Sequence, residues 1–462
     1  MPVLAIQTLD RRQVKACKTA LEKSGHFDKL RGIEKDDNGF LIFTNKTGEY
    51  VDLKRITMAE FPELVDLEPS LEIMVVPNDN YRNAWDVQSS SNLKAAVRSA
   101  LESLMIPSLS PERLDQMIKS LPHRYYIYGQ FLLLSSGSFE SIPEWQSLAQ
   151  GDLTFANKFY KLLADRLNVT HIAQNAPIPG DNDNAMRKPT QLVCLYGDFG
   201  LDVNYASILA PSREHIAREL WAATRQNSIC QTWAPRYTMF SRGNIKEKAR
   251  VLRFENVENK TVVDLYAGIG YFAFSYAKRG AGLVLCWEIN PWSVEGLLRG
   301  AKANKWRAQL VQHEEGWVME SKKDSAPKLV VFLEDNRYAI SRIRTAADAH
   351  DLKYNISHIN MGLLPSSEQS WPIATELAAL SSEANVTLHV HANVAHSDID
   401  TWSRSTALKL LYLISEFSSG SCVIPTHIEK IKSFAPGVIH ICGDFLVRKR
   451  VNCESGRCGR IS

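Results

Sequence analysis

Between Thr261 and Asn304 the apolar positions obey two rules in turn. A β-branched run from Thr261 closes on Asp264, a turn through Tyr266-Ala267-Gly268-Ile269-Gly270 follows, and Phe272, Tyr276 and Ala277 then share one side of a helical period that stops at Lys278-Arg279-Gly280. A second apolar run, Leu283 to Trp287, ends in Glu288. Strand, glycine turn, helix, strand and acid is the plan of a nucleotide-binding βαβ unit. The alternation continues downstream. Lys328 to Leu333 predicts a third strand tipped by Glu334-Asp335-Asn336, Tyr354 to Asn360 a fourth leading into Met361-Gly362-Leu363-Leu364-Pro365, and Val386 to Val394 a fifth. Helices are predicted over 338–349, near 373–380 and over 399–417, and the runs 426–431 and 437–448 predict a closing hairpin-like pair. From Asn304 to Lys328 the pattern is irregular, and the charged stretch Glu314 to Lys323 reads as an insertion. The tail from Arg448 reads as basic and mobile.

Upstream the periodicity is mixed. Val14, Cys17, Leu21 and Phe27 predict an amphipathic helix over 10–31, and 39–44 with 49–53 predict a hairpin across Asn45-Lys46-Thr47-Gly48. Helices are expected over 92–105, 111–121, 142–169 and 212–223, an aromatic strand run over 123–139, a polar surface loop over 181–189, and a strand over 192–195. These shifts divide the chain into an N-terminal α+β accessory domain (1–138), a middle α+β domain (139–250) and a C-terminal α/β domain (251–462) with a doubly wound, Rossmann-like sheet.

The chemistry narrows at the glycine turn. Gly268-x-Gly270 alone fits a dinucleotide fingerprint, but Asp264 places a negative charge where a pyrophosphate would sit. That charge suits an ammonium, such as the one in the methionine part of S-adenosylmethionine. D-x-x-x-G-x-G with an acid closing the next strand resembles the class I S-adenosylmethionine-dependent transferases, and an NAD-dependent dehydrogenase is the reading it displaces. In a doubly wound sheet ligands lie beyond the carboxyl ends of the strands. Asp264, Glu288, Asp335 and Asn360 end successive predicted strands, so Glu288 is expected on the ribose hydroxyls and Asp335 on the adenine amino group, with Asn336 beside it. Asn360 to Pro365 is expected at the reacting end, positioning substrate. In 239–250, Asn244-x-x-Glu247 has the form of a capping box, and a helix start among Arg242, Lys246, Lys248 and Arg250 predicts an anion site for the methionine carboxylate or an RNA phosphate. Tyr266 and Tyr271 are aromatics on which a splayed base could stack.

Composition adds bounds. The 462 residues suffice for two or three domains, 45% apolar and 23% charged content is ordinary for a globular protein, and a net charge of +3 permits a polyanionic partner without demanding one. The first residues lack a signal-peptide core and no apolar run reaches membrane-spanning length, so a cytoplasmic protein with no membrane partner is expected. The eight cysteines read as reduced thiols, and Cys453-x4-Cys458 lacks a partner pair for zinc, so no metal is expected.

MFSRGNIKEKAR, VVDLYAGIGYF, CWEINP and INMGLLPSS, in this order, resemble the tRNA wybutosine-synthesising protein 2 family, whose members are tRNA aminocarboxypropyltransferases related to the tRNA guanosine N1-methyltransferases. The resemblance runs from about Arg213 to the end. It implies a class I methyltransferase-like fold, S-adenosylmethionine as co-substrate, and transfer of its 3-amino-3-carboxypropyl group to the tricyclic wyosine-precursor base of tRNA-Phe beside the anticodon, with release of 5′-methylthioadenosine. It also implies cofactor-binding roles for Ser241, Lys248, Glu288, Asp335 and Asn336. The alternatives are a tRNA guanosine N1-methyltransferase and, more remotely, a non-catalytic tRNA-binding protein.

Overall fold

The computed structural model describes residues 3–27, 33–47, 64, 71–76, 93–175, 192–317, 326–350 and 354–449, less positions 9, 37, 38, 108, 123, 124, 140, 152, 203 and 314. The expected strand 49–53, the loop 181–189, most of the insertion 314–323 and the tail from 450 lie outside the described residues. The chain forms two compact units, Met1–Asn92 and Leu93–Ser462.

In the first unit β1 (Val3–Thr8), α1 (Arg11–Ser24), β2 (Ile33–Asp36), β3 (Gly39–Thr47) and β4 (Leu71–Val76) build an antiparallel sheet of order β2-β3-β1-β4. Cys17 and Leu21, one helical turn apart, are fully buried with Ile6 and Ile42, so the predicted apolar face of α1 forms the core.

The second unit opens with α2 (Leu93–Ser103) and α3 (Pro111–Ser120), the latter started by Ser110, whose hydroxyl accepts from the Arg113 N–H, and by Pro at its first turn. β5 (Tyr125–Tyr128), β6 (Phe131–Leu134), α4 (Pro143–Gly151), α5 (Leu153–Leu167), β7 (His171–Asn175) and β8 (Leu192–Tyr196) follow, with the sheet ordered β5-β6-β7-β8 and running across position 138. The helix expected over 212–223 is shorter. After α6 (Tyr205–Leu209), α7 spans Arg213–Arg218, and β9 (Ala222–Gln226) pairs with β10 (Ile229–Trp233) across Asn227 and Ser228, both in the left-handed region that a two-residue hairpin turn requires. A 3-10 turn, Arg242–Asn244, and α8 (Ile245–Val251) lead into the main sheet.

That sheet contains β11 (Thr261–Asp264), β12 (Leu283–Glu288), β13 (Ala308–Gln312), β14 (Leu329–Leu333), β15 (Ile356–Met361), β16 (Asn385–Ala395), β17 (Cys422–Ala435) and β18 (Val438–Arg448). Its order is β13-β14-β12-β11-β15-β16-β18-β17, parallel except at β18 and β17. α9 (Ala273–Arg279), α10 (Pro291–Ala303), α11 (Ala339–His350), α12 (Trp371–Leu380) and α13 (Ile399–Ser415) connect the strands. This is the doubly wound α/β sheet read from the sequence. Strands buried on both faces carry continuous apolar runs, which is why β11, β12 and β14 were legible. The missed strand, β13, is half-exposed at the sheet edge, so its residues alternate weakly. Trp287 lies over Phe332 at 4.4 Å between ring centroids, both fully buried, and fixes the β12–β14 layer beneath the strand ends. The strand order changes direction at β11, between β12 and β15, and the crevice there opens at the carboxyl ends.

Candidate active site

β11 delivers Asp264 to the switch point, fully buried. Its Oδ1 accepts from the Tyr266 N–H at 3.3 Å and the Asn360 side-chain amide at 3.0 Å, whereas Oδ2 is buried with no hydrogen-bond partner. Burial pushes the Asp264 carboxyl up to about 6, against the opposing pull of the Asn360 amide and of the Tyr266 and Ala273 backbone N–H groups. A buried carboxylate oxygen without a hydrogen bond is a candidate contact for a ligand's donor.

The turn after β11 is shaped for close approach. Gly268 and Gly270 have φ of +54° and +87°, and a Cβ on Gly270 would stand 2.7 Å from the Phe274 ring. Glu288, at the end of β12, spans the turn and the next helix: its two oxygens accept from the Gly268 and Asn290 N–H groups, each at 2.8 Å. Burial raises the Glu288 carboxyl, and those backbone donors oppose the rise. Each oxygen keeps a lone pair, so Glu288 can still accept from a pair of hydroxyls. Asn290 caps α10 by accepting from the Trp292 N–H at 3.0 Å, and its amide donates to the Tyr237 carbonyl at 3.1 Å, which ties the segment before Ser241 to the strand ends.

At the end of β14, Asp335 is more exposed. It accepts from the Arg337 N–H and pairs with the Arg337 guanidinium, each at 2.9 Å, and that hydrogen bond holds its carboxyl below the usual range. Asn336 donates to the Leu265 carbonyl at 2.9 Å, linking this tip to the β11 turn. At the end of β15, Asn360 turns its amide inward to Asp264, so it orients that acid and does not project into the crevice. Pro365, in the following loop, is exposed, and its carbonyl accepts from the Asn393 N–H at 2.8 Å.

The segment before α8 departs from expectation. The Asn244–Glu247 capping box does not form: Asn244 makes no side-chain cap, and Glu247 is buried against Arg250 instead. Nor do the four cations share one site. Arg242 lies over the Tyr126 ring, and Arg250 is held by Glu247 and Asp444. Lys248 alone turns inward, buried, with Nζ donating to the amide oxygens of Gln226 and Gln231 and facing the rings of Phe240 and Tyr271 at 5.0 and 5.1 Å. Gln231 in turn donates to the Gly270 carbonyl at 3.4 Å, so Lys248 is wired to the glycine turn. All four partners of Lys248 are neutral. Burial, with the Lys432 charge beside it, pushes its ammonium down to about 7. Ser241 donates to Asn244 at 3.2 Å and accepts from Lys432 at 2.8 Å. Tyr271 is tied to the Met239 carbonyl, while the Tyr266 hydroxyl accepts from Gln369 at 3.3 Å.

Gln226, Gln231 and Lys432 were missed in the sequence. The glutamines sit on a hairpin whose partner helix is known only from the fold, and Lys432 lies 191 residues beyond Ser241. The arrangement as a whole offers an acid with one oxygen outside any hydrogen bond, a turn with two glycines, a bidentate carboxylate and a buried lysine with neutral partners. These fit a ligand with an ammonium, a carboxylate and a nucleoside.

The chain matches the TRM5/TYW2 methyltransferase domain family over residues 227–356. It is 42% identical over 365 residues to tRNA wybutosine-synthesizing protein 2 of Schizosaccharomyces pombe, covering 78% of this chain and 79% of that one. It is 36% identical over 366 residues to the protein of that name in Saccharomyces cerevisiae, covering 72% and 75%. The chain belongs to the tRNA wybutosine-synthesizing protein 2 family. The family read from the four sequence motifs is thus the family found. Among solved structures, TYW2 of Pyrococcus horikoshii in complex with MeSAdo is 20% identical, with a TM-score of 0.49, covering 77% of this chain and all of that one. Among the described residues no helix is long and apolar enough to cross a membrane.

Proposed function

We propose that this member of the wybutosine-synthesizing protein 2 family transfers the 3-amino-3-carboxypropyl group of S-adenosylmethionine to the tricyclic wyosine-precursor base of tRNA-Phe beside the anticodon, in the cytoplasm. The observations that carry the reading are a buried acid at the end of β11 with hydrogen bonds to one oxygen only, and a buried lysine, Lys248, whose partners are neutral and which is linked through Gln231 to the glycine turn that follows that acid. Such a pair suits the two charges of an amino acid. When bound, S-adenosylmethionine supplies an electrophilic carbon: a bond forms from the base carbon to Cγ, the Cγ–S bond breaks, 5′-methylthioadenosine leaves with the electron pair, and the base loses a proton.

The protein's part is orientation. Asp264 holds the ammonium, with Asn360 keeping its other oxygen occupied. Lys248 and Ser241 hold the carboxylate. Glu288 takes the ribose hydroxyls, Gly268 and Gly270 admit the backbone to the nucleoside, and Asp335 with Asn336 borders the adenine. Fixing both ends of the methionine arm presents Cγ, not the methyl group, to the base. The loop at Gly362, Leu363 and Leu364, ending in Pro365, carries no acid or base and forms an apolar wall for a carbon nucleophile. Residues 93–250 lead into the cofactor site, since their sheet crosses the expected boundary at 138, and 251–462 carry the transfer.

Cofactor labelled in the methionine carboxylate should label tRNA, and cofactor labelled in the methyl group should not. The reverse pattern, with S-adenosylhomocysteine as product, would make this a guanosine N1-methyltransferase.

A further inference from the structure

β17 brings a second lysine to the site from the far edge of the sheet. Its pairing with β18 is irregular on both sides of Lys432, between 430 and 432 and between 433 and 435. Such irregularities redirect side chains out of strand alternation. β17 packs against the Arg242–Asn244 turn and α8. There Gly243 leaves the space that Lys432 occupies: a Cβ on Gly243 would stand 2.6 Å from Lys432 Cδ. The ammonium then donates to the Ser241 hydroxyl at 2.8 Å, and the hydroxyl donates in turn to Asn244 Oδ1 at 3.2 Å. Lys432 also lies close enough to Lys248 for the two charges to repel. A strand irregularity, a missing side chain and a directed hydrogen bond thus hold the Lys432 ammonium at Ser241, where it opposes the charge of Lys248, and an anion between them would turn that repulsion into attraction.

We propose that Lys432 is a positioning residue for the carboxylate of S-adenosylmethionine: it sets the Ser241 hydroxyl and, with Lys248, fixes the aminocarboxypropyl arm, leaving the adenosine end to the strand-end acids. The inference rests on the cofactor reading above. It separates two ligands sharing one nucleoside, because 5′-methylthioadenosine lacks the amino acid arm.

Calorimetry on the full chain tests it, with S-adenosylmethionine and 5′-methylthioadenosine titrated into wild type, Lys432→Met and Lys432→Arg. Loss of a charge-assisted contact should weaken S-adenosylmethionine about tenfold to a hundredfold in Lys432→Met. 5′-Methylthioadenosine should bind all three proteins equally, and Lys432→Arg should recover most of the loss. Unchanged S-adenosylmethionine affinity in Lys432→Met would overturn the assignment. So would a parallel loss for both ligands, which marks a merely structural lysine. A wild type that binds neither ligand would remove the cofactor reading itself, and this inference with it.

Discussion

Asp264 at the end of β11 and Asp444 in the middle of β18 are buried carboxylates of one sheet, but their surroundings differ. Asp444 accepts from both terminal nitrogens of Arg250 and lies 2.7 Å from His389 Nδ1, while the other nitrogen of that ring, Nε2, lies 2.9 Å from His358 Nδ1. Burial pushes its carboxyl up, but the His389 charge and the hydrogen bonds from His389 and Arg250 outweigh that and hold it well below the carboxylate range. Glu247, His391 and Cys442 converge beside it, and Arg250 donates to both Glu247 oxygens as well, so the acids there are matched within the fold. Asp264 has a partner for one oxygen only, and its carboxyl rises towards neutrality. A fully partnered carboxylate fastens α8 to the sheet. A half-partnered one carries its desolvation as a cost to the fold.

The strongest way to break this contrast is Arg250→Met. It strands two buried carboxylates, and the expected loss is about 3–5 kcal/mol of unfolding free energy, read from urea unfolding. A loss within experimental error would mean that Asp444 and Glu247 do not depend on the guanidinium.

Asp264→Asn should act in the opposite direction. The folded protein holds the Asp264 proton up to about 6, while the unfolded chain releases it near the ordinary value of about 4. Between those values the folded state binds the extra proton, so wild-type stability falls as pH rises through the window, and the deficit persists above it. Removing the charge should therefore raise stability at pH 7.5 by up to about 3 kcal/mol, and the gain should vanish towards pH 4. Thermal melts at both pH values check this. A variant less stable than wild type at pH 7.5 would show that Asp264 is satisfied without a ligand.

Glu288→Ala sharpens the comparison at the other strand end. Its carboxylate holds the Gly268 and Asn290 N–H groups, so loss should weaken S-adenosylmethionine by about 2 kcal/mol, some thirtyfold. Affinity for tRNA, measured by filter binding, should be largely unchanged. Equal losses for both would indicate a collapsed turn and not a lost cofactor contact.

The contrast also marks what sequence could disclose. Asp264, Glu288, Asp335 and Asn360 were legible because each follows an apolar run, and a parallel sheet places all such ends on one side. The glycine turn was legible because glycine takes left-handed backbone angles at no steric cost, and at Gly270 a side chain would also strike the Phe274 ring. Partners were not. That Asn360 serves Asp264, or that Arg250 is consumed by Glu247 and Asp444 while Lys248 is not, depends on which face of a seven-residue helix meets which strand. The 39–44 segment was read as part of a local hairpin with 49–53, whereas the observed strand 39–47 pairs with β1 and β2. Lys432 was invisible for the same reason, because β17 reaches Ser241 only once the sheet has closed.

The most direct measurement is calorimetry of S-adenosylmethionine into wild type and Asp264→Asn at pH 7.5. The account predicts binding by wild type and at least a hundredfold loss in the variant, although the variant is the better-folded protein. Equal affinity in the two would show that the half-partnered carboxylate of β11 is not where the ligand's ammonium is held, and the cofactor reading of this crevice would fall with it.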